Sequence, residues 1–173
     1  QSTVRVASRW PGESWPIGYG RQVGLAGEDY RLNGNINNNL HLVWLKDQHL
    51  WSSVYDIETD LWLDATRITG RKVAQWQFHQ NRHGQAVIVW NDENSQLYMS
   101  HYKPSSGWGD AVLVDFDSSA QEPYRSGQTH EFKSAFDDNG AVTLGWMRFS
   151  CANENQPCQS TIAIRQYEPL QGL

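Results

Sequence analysis

Hydrophobic and polar positions along the chain follow a repeating order. In residues 83–115 a Gly-led apolar run ends at a Trp, a polar turn follows, an alternating stretch ends at a Tyr, and a second turn leads into another Trp. Residues 38–69 have the same order. The paired landmarks are Trp44 and Trp90, Tyr55 and Tyr102, and Trp62 and Trp108. Because these pairs lie 46, 47 and 46 residues apart, the pattern indicates repeats of one structural unit.

Each unit predicts four short strands separated by turns. In one unit these are a strand ending near Phe78, followed by residues 86–90, 97–102 and 111–114. Alternating or short continuous apolar runs between turn residues are typical of strands, and no segment has the period of a helix. Four strands in a repeat of this length are typical of a β-propeller blade.

Further copies of the unit are incomplete. In a third copy Trp146 and Tyr167 stand at the Trp90 and Tyr102 places, and near the N-terminus Trp10 and Trp15 stand at the Tyr102 and Trp108 places. We therefore predict one all-β repeat domain over residues 1–173. Its predicted parts are a half blade at 1–27, blades at 28–70 and 71–118, and a partial blade at 119–173.

About three blades are fewer than the roughly four to eight that close a propeller. Two copies related by two-fold symmetry would close a ring of six blades, which predicts a homodimer. The other interpretation is that the chain is a segment of a larger propeller. A β-sandwich is the alternative fold, since it also has short strands with frequent turns.

Composition narrows the class of partner. The net charge is -5 with Lys and Arg scattered singly, so no basic face for nucleic acid is expected. No apolar run reaches the roughly 18 residues of a membrane helix, so membrane insertion is not expected either. Nine Trp residues in 173 are typical of repeated β-blades and of sugar-binding surfaces.

Two cysteines bear on the compartment. Cys151 and Cys158 lie in a polar segment rich in Asn, Gln and Pro, where thiols gain nothing from packing. A disulfide between them is favoured over free thiols or a metal pair, and it requires an oxidising compartment. The chain begins at Gln1 without Met, which fits either a removed signal peptide or a piece of something longer. We expect a secreted, periplasmic or cell-surface protein.

The units resemble the Trp-rich repeats of exported bacterial β-propellers. The pattern is Gly84, Ala86, Trp90, Tyr102, Gly107 and Trp108. More distantly, the chain is similar to the fucose-binding propeller lectins, whose short chains assemble rings from few blades. In that family an Arg, a Glu and a Trp hold the sugar. Leu42 and Ile88 stand at the Arg place here, so the resemblance implies glycan recognition in general rather than binding of fucose.

Candidate binding residues lie in the irregular segments, since function often resides in loops on a rigid scaffold. Strand order places the connection between the second and third strands of a unit on the same face as the connection to the next unit. Polar and aromatic residues of these segments suit carbohydrate or peptide recognition. The candidate ligand-binding residues are Tyr124, Arg125, Glu122, His130, Asp92, Glu93 and Arg148.

Three classes of function follow. The first is a non-enzymatic module that binds glycans or a cell surface, and the second is a structural or protein-interaction propeller segment of a larger envelope or adhesin protein. The third is a polysaccharide-active enzyme, although no spacing singles out a catalytic residue and no known catalytic motif is present. No cofactor is expected; the segments DFD and NDEN offer oxygens to calcium but lack the twelve-residue loop pattern.

Overall fold

The protein is all-β, as the sequence predicts. The computed structural model describes residues 3–6, 21–25, 29–35, 39–114, 131–150 and 159–168; at 3–6, 21–25, 148–150, 159 and 161 it describes the backbone alone. The chain divides into two compact units, Gln1–Gly70 and Arg71–Leu173. Every described regular element is a β-strand, and every strand pairing is antiparallel.

The first unit contains an N-terminal strand pair and one five-stranded sheet, which we name the first sheet. The pair is β1 (Thr3–Val6) and β2 (Arg21–Leu25). The first sheet consists of β3 (Tyr30–Gly34), β4 (Leu40–Lys46), β5 (His49–Asp56), β6 (Leu61–Trp62) and β7 (Thr66–Arg67). Its order is β3-β4-β5-β6, and β7 also pairs with β5.

The second unit contains two sheets. The second sheet consists of β8 (Val73–Gln80), β9 (Ala86–Asp92), β10 (Leu97–Lys103), β11 (Gly107–Trp108) and β12 (Val112–Leu113). Its order is β8-β9-β10-β11, and β12 also pairs with β10. The third sheet has the order β13-β14-β15 and consists of β13 (Phe132–Phe136), β14 (Val142–Ser150) and β15 (Gln159–Tyr167).

The landmark residues of the predicted repeat occupy equivalent places in the three sheets. In each sheet the second-strand Trp is the middle member of a row across three strands. The rows are Tyr30, Trp44 and Trp51; Trp76, Trp90 and Tyr98; and Phe132, Trp146 and Ala163. The third-strand Tyr pairs with the fourth-strand Trp in both larger sheets, as Tyr55 with Trp62 and Tyr102 with Trp108.

The fourth strand differs from its prediction. A strand at 111–114 is expected, but the structure has two short pieces, β11 and β12, separated by three residues. At the interruption the Ser100 hydroxyl donates to the Gly109 carbonyl over 2.7 Å. The first sheet has the same arrangement, with Ser53 donating to the Leu63 carbonyl over 2.6 Å. The side-chain bond takes the place of a backbone ladder bond at this point, so the strand bends without leaving that carbonyl unpaired.

The core of the second unit lies between its two sheets. One face of the third sheet packs its Phe132, Leu144 and Trp146 against Val89 and Met99 of the second sheet. Polar groups at the edge are also paired across the two sheets: Gln77 donates from Nε2 to the Phe132 carbonyl over 3.0 Å, and its Oε1 accepts from Ser134 N and Oγ. The two sheets therefore form one packed body within this unit.

Three turns of the second unit use the same device. An Asx oxygen at the first position accepts backbone N–H groups two and four residues later, at 2.8 to 3.1 Å. The first residues are Asn81, Asp92 and Asp137. The fourth residue of each turn has positive φ, and two of the three are glycines, as this conformation favours.

Candidate functional site

The described strand ends that flank the segments with the predicted binding residues lie together at one end of the second unit. β9 ends at Asp92 and β10 begins at Leu97, while Val114 N donates to the Leu97 carbonyl over 2.8 Å. In the third sheet, the Glu131 backbone carbonyl accepts from Met147 N, close to the end of β14. Because Gln77 contacts Phe132 and Asn81 contacts Asp137, β8 and β13 run in the same direction, so these strand ends lie together. We name this region the loop end.

Most of the predicted site residues fall outside the described residues. Those are Tyr124, Arg125, Glu122 and His130, together with Cys151 and Cys158 of the predicted disulfide. Arg148 lies on β14 opposite Thr161 near the loop end, and only its backbone is described.

Asp92 and Glu93 lie in the β9–β10 turn at the loop end, with different surroundings. Asp92 is 1 % exposed, and its Oδ1 accepts from Asn94 N and Gln96 N at 2.9 and 3.0 Å. Its Oδ2 lies 3.4 Å from the Arg71 guanidinium. Glu93 is exposed at the tip of the turn. The turn therefore uses the Asp92 carboxylate for its own structure and presents Glu93 to solvent.

Arg71 contacts both this turn, through Asp92, and the aromatic ring of Tyr98. Its guanidinium lies 5.5 Å from the centre of the Tyr98 ring, within the range of a cation–π contact. The Tyr98 ring stacks in turn on Trp90, at 5.7 Å and 19° between planes, and its hydroxyl donates to Gln96 over 2.8 Å. Arg71, Glu93, Gln96 and Tyr98, with Asp92 and Trp90 beneath them, form what we name the turn patch.

The turn patch has the chemistry of a polar recognition surface. Trp90 is buried and Tyr98 is partly exposed, so the stacking contact with Trp90 holds the Tyr98 ring in place at the surface. The Tyr98 ring holds the Arg71 guanidinium on its outer face and leaves its edge to apolar contacts, while the guanidinium and the Gln96 carboxamide offer charge and hydrogen bonds. The Arg71 side chain is 61 % exposed, so its remaining donors reach solvent.

The first sheet has a counterpart of this arrangement. Trp51 holds the place of Tyr98, opposite Trp44 as Tyr98 is opposite Trp90. The Lys46 ammonium lies 5.5 Å from the Trp51 ring centre. Both sheets thus place a cation on the outer aromatic ring. Lys46 belongs to β4, the second strand of its sheet, whereas Arg71 lies just before β8, the first strand of its sheet.

Two histidines lie in one cross-strand row on the face of the second sheet that packs against the third sheet. His79 and His101 both lie in register with Val87, and His79 Nε2 is 2.8 Å from the Ser134 hydroxyl. Desolvation lowers the pKa of His79, an effect that a hydrogen bond with the Ser134 backbone opposes. Desolvation and then the charge of Lys103 lower the pKa of His101. Both imidazoles are therefore biased toward the neutral form at the contact between the two sheets.

Asn91 is a buried polar residue at the loop end. Its side chain is 1 % exposed, and neither amide atom has a hydrogen-bond partner in the part of the chain that the structure describes. An unpaired buried amide is unfavourable by about 1–3 kcal/mol. The position is next to the turn patch residue Asp92, on the opposite face of β9.

Sequence reasoning missed Arg71, Gln96 and Tyr98. Arg71 precedes Tyr98 by 27 residues, so nothing in the local pattern brings the two together. The available signal was the polar turn after β9, because a carboxylate at the end of a buried strand needs hydrogen-bond donors or a cation as partners.

No known protein-family model matches this chain, and no curated protein is similar to it in sequence. The described residues contain no group of three or more His, Cys, Asp or Glu side chains that could hold a metal ion. Within the same residues there is also no helix with the length and apolar character needed to cross a bilayer.

Proposed function

We propose that this protein is a non-enzymatic, exported binding module that recognises glycans. The observation that carries the proposal is the turn patch, in which Arg71 covers the Tyr98 ring and the ring rests on buried Trp90. The patch lies at the loop end, beside the described strand ends that flank the segments with the predicted binding residues.

The chemistry of the patch favours a glycan with acidic groups. The apolar C–H groups of a sugar pack against the exposed edge of the Tyr98 ring, beside the guanidinium that covers its face, and the sugar hydroxyls bond to Gln96 and Glu93. A carboxylate or sulfate on the sugar would bond to the exposed donors of Arg71 in a charge-assisted geometry. Neutral glycans lack this last contact and are expected to bind more weakly.

We also propose that the sheets are parts of a β-propeller, in which the first and second sheets are blades and the third is a partial blade. The equivalent Trp rows and the repeated Ser–carbonyl bond support it. So does the packing of the second sheet on the third through one Trp-bearing face. The loop end would then be one face of the propeller, the usual location of binding loops on such a scaffold.

The test is an array of immobilised acidic and neutral glycans probed with the intact chain and with two matched variants. Arg71 and Arg82 are each 61 % exposed and each lies beside an Asp, but Arg82 belongs to the β8–β9 turn at the opposite end. We expect Arg71→Gln to weaken binding of acidic glycans at least tenfold. Arg82→Gln is expected to leave binding unchanged.

Tyr98 provides the second arm of the test. Tyr98→Phe keeps the ring that holds Arg71 and is expected to retain binding within about threefold, whereas Tyr98→Leu removes that ring and its exposed edge and is expected to abolish binding. Circular dichroism checks that each variant is folded. If no glycan binds the wild-type chain, or if Arg71→Gln and Arg82→Gln bind equally, the proposal is wrong.

A further inference from the structure

Within the described residues, the third sheet has no counterpart of the fourth strand that both other sheets have. In the first sheet β6 and β7 pair with the outer edge of β5, and in the second sheet β11 and β12 pair with the outer edge of β10. β15 is the equivalent third strand, since Tyr167 lies opposite Val142 as Tyr102 lies opposite Ala86. Among the strands that the structure describes, none pairs with the outer edge of β15.

Backbone groups on this edge are arranged to accept a strand. In β10 the carbonyls of Leu97 and His101 face outward and accept from Val114 N and Gly109 N, both over 2.8 Å. The Tyr102–Tyr167 equivalence puts Ile162 and Gln166 at those two places, with Ile164 between them. Their N–H and C=O groups therefore face the open edge of β15, while those of Ala163 and Arg165 face β14.

The side chains on this edge are also unusual for solvent. Ile162 and Ile164 are 75 % and 70 % exposed, on the face of the third sheet away from the core. Thr143 and Ala135 on the same face are exposed as well. A long edge strand with exposed β-branched residues favours pairing with another strand.

The other two sheets indicate what the missing strand carries. In both, a fourth-strand Trp contacts the third-strand Tyr, with ring centres 5.5 Å apart for Tyr55 and Trp62 and 5.4 Å for Tyr102 and Trp108. Tyr167 is the equivalent ring, partly exposed, and its hydroxyl donates to the Val114 carbonyl over 2.8 Å. The hydroxyl bond holds the Tyr167 ring at the place where the other two sheets have a Tyr–Trp contact.

An acidic residue is the second feature expected of the incoming strand. Both fourth strands have an Asp two residues after the Trp, at Asp64 and Asp110. In the third sheet, exposed Arg165 lies opposite Leu144, at the place of Ser53 and Ser100. An incoming strand with the same Asp would lie beside this guanidinium.

We propose that the outer edge of β15 binds an extended peptide strand with a Trp followed by an Asp and an apolar run. The strand adds to the third sheet by β-augmentation, its Trp packing on Tyr167 and its Asp lying beside Arg165. Backbone bonds to Ile162, Ile164 and Gln166 supply affinity, and the two side-chain contacts supply specificity.

The probe is a labelled synthetic peptide with the sequence of residues 105–115, SSGWGDAVLVD, added to the intact chain. We expect saturable binding by fluorescence anisotropy, weakened at least tenfold when the peptide Trp is replaced by Ala. A peptide N-methylated at alternate residues on its pairing side is expected not to bind, and this control leaves the protein unchanged.

Amide hydrogen exchange locates the bound strand. In the free chain the amides of Ile162, Ile164 and Gln166 are expected to exchange quickly, and those of Ala163 and Arg165 slowly. The peptide should slow the first set at least tenfold. A peptide that does not bind, that binds equally without its Trp, or that protects other strands and leaves β15 unprotected would overturn the proposal.

Discussion

The first and second sheets share one strand order but fill equivalent positions with different chemistry. Val87 stands on the inner face of β9, and the equivalent position of β4 is His41. Both side chains are fully buried. The two sheets therefore bury equivalent positions although different side chains fill them.

The connection between the second and third strands also differs. The first sheet uses a two-residue turn in which Asp47 and Gln48 both have positive φ, at 51° and 61°, as a type I′ hairpin requires. The second sheet uses the longer turn that Asp92 organises. Asp92 of the longer turn pairs with Arg71, so the patch proposed to bind glycans depends on a turn that the first sheet does not have.

Replacing the central Trp of each row tests whether the two sheets are energetically equivalent. Trp44 and Trp90 are both 2 % exposed. We expect Trp44→Ala and Trp90→Ala each to lower the free energy of unfolding by about 3–5 kcal/mol. Urea denaturation followed by circular dichroism measures this loss. A loss below about 1 kcal/mol in either variant would contradict the equivalence.

The matched control is Trp→Phe at the same two positions. Neither indole N–H has a hydrogen-bond partner among the residues described, so Phe removes volume but no bond. A loss clearly smaller than that of the Ala variants is expected, because the aromatic contact is largely kept.

Features that depend on local sequence were predicted correctly, and features that depend on contacts between strands were not. The strands at Trp44, Trp90 and Trp146 were predictable because apolar alternation and spacing are local properties of the chain. The break in the fourth strand was not, because it depends on hydroxyls of a neighbouring strand, Ser53 and Ser100.

The candidate site was predictable only in part. The turn at Asp92 and Glu93 was found from its polar composition, but the burial of Asp92 depends on hydrogen bonds that composition does not reveal. The contact of Arg71 with Tyr98 joins residues far apart in sequence and requires the folded sheet.

His41 is expected to make the stability of the protein depend on pH, whereas Val87 at the equivalent position has no group that titrates. Burial lowers the pKa of His41 from 6.5 to about 3. Between these values the unfolded chain binds a proton that the folded chain does not, so stability rises with pH in this window. Below pH 6.5 this histidine is expected to remove about 1.4 kcal/mol of stability per pH unit, until the pH reaches about 3.

The test is His41→Val, which installs the side chain that the second sheet already uses. The variant should show a flatter dependence of the unfolding free energy on pH between 6.5 and 4 than the wild type, measured by urea denaturation. Val87→Ala serves as a control for a general loss of core packing, since it lowers stability at every pH without changing the slope. Equal slopes in the wild type and His41→Val would show that His41 is not protected from protonation by the fold.

The turn at Asp92 is expected to matter less than either core position. Asp92→Ala removes the acceptor of two backbone N–H groups and the partner of Arg71. We expect a loss of about 1–2 kcal/mol. Asp92→Asn keeps the Oδ1 acceptor and should lose less than about 1 kcal/mol. Thermal unfolding of the two variants distinguishes turn formation from the ion pair, and equal losses would assign the effect to the charge.

The smallest expected effect concerns the two-residue turn of the first sheet. Gln48 has φ of 61°, a conformation that costs a residue with a Cβ more than it costs glycine. Gln48→Gly should therefore raise the free energy of unfolding by about 0.5 kcal/mol, after allowing for the greater freedom of glycine in the unfolded chain. Gln48→Ala removes the same side chain but keeps the Cβ, so it is expected to change stability little. If Ala stabilises the protein as much as Gly, the gain comes from removing the Gln side chain, and the turn carries no strain that glycine relieves.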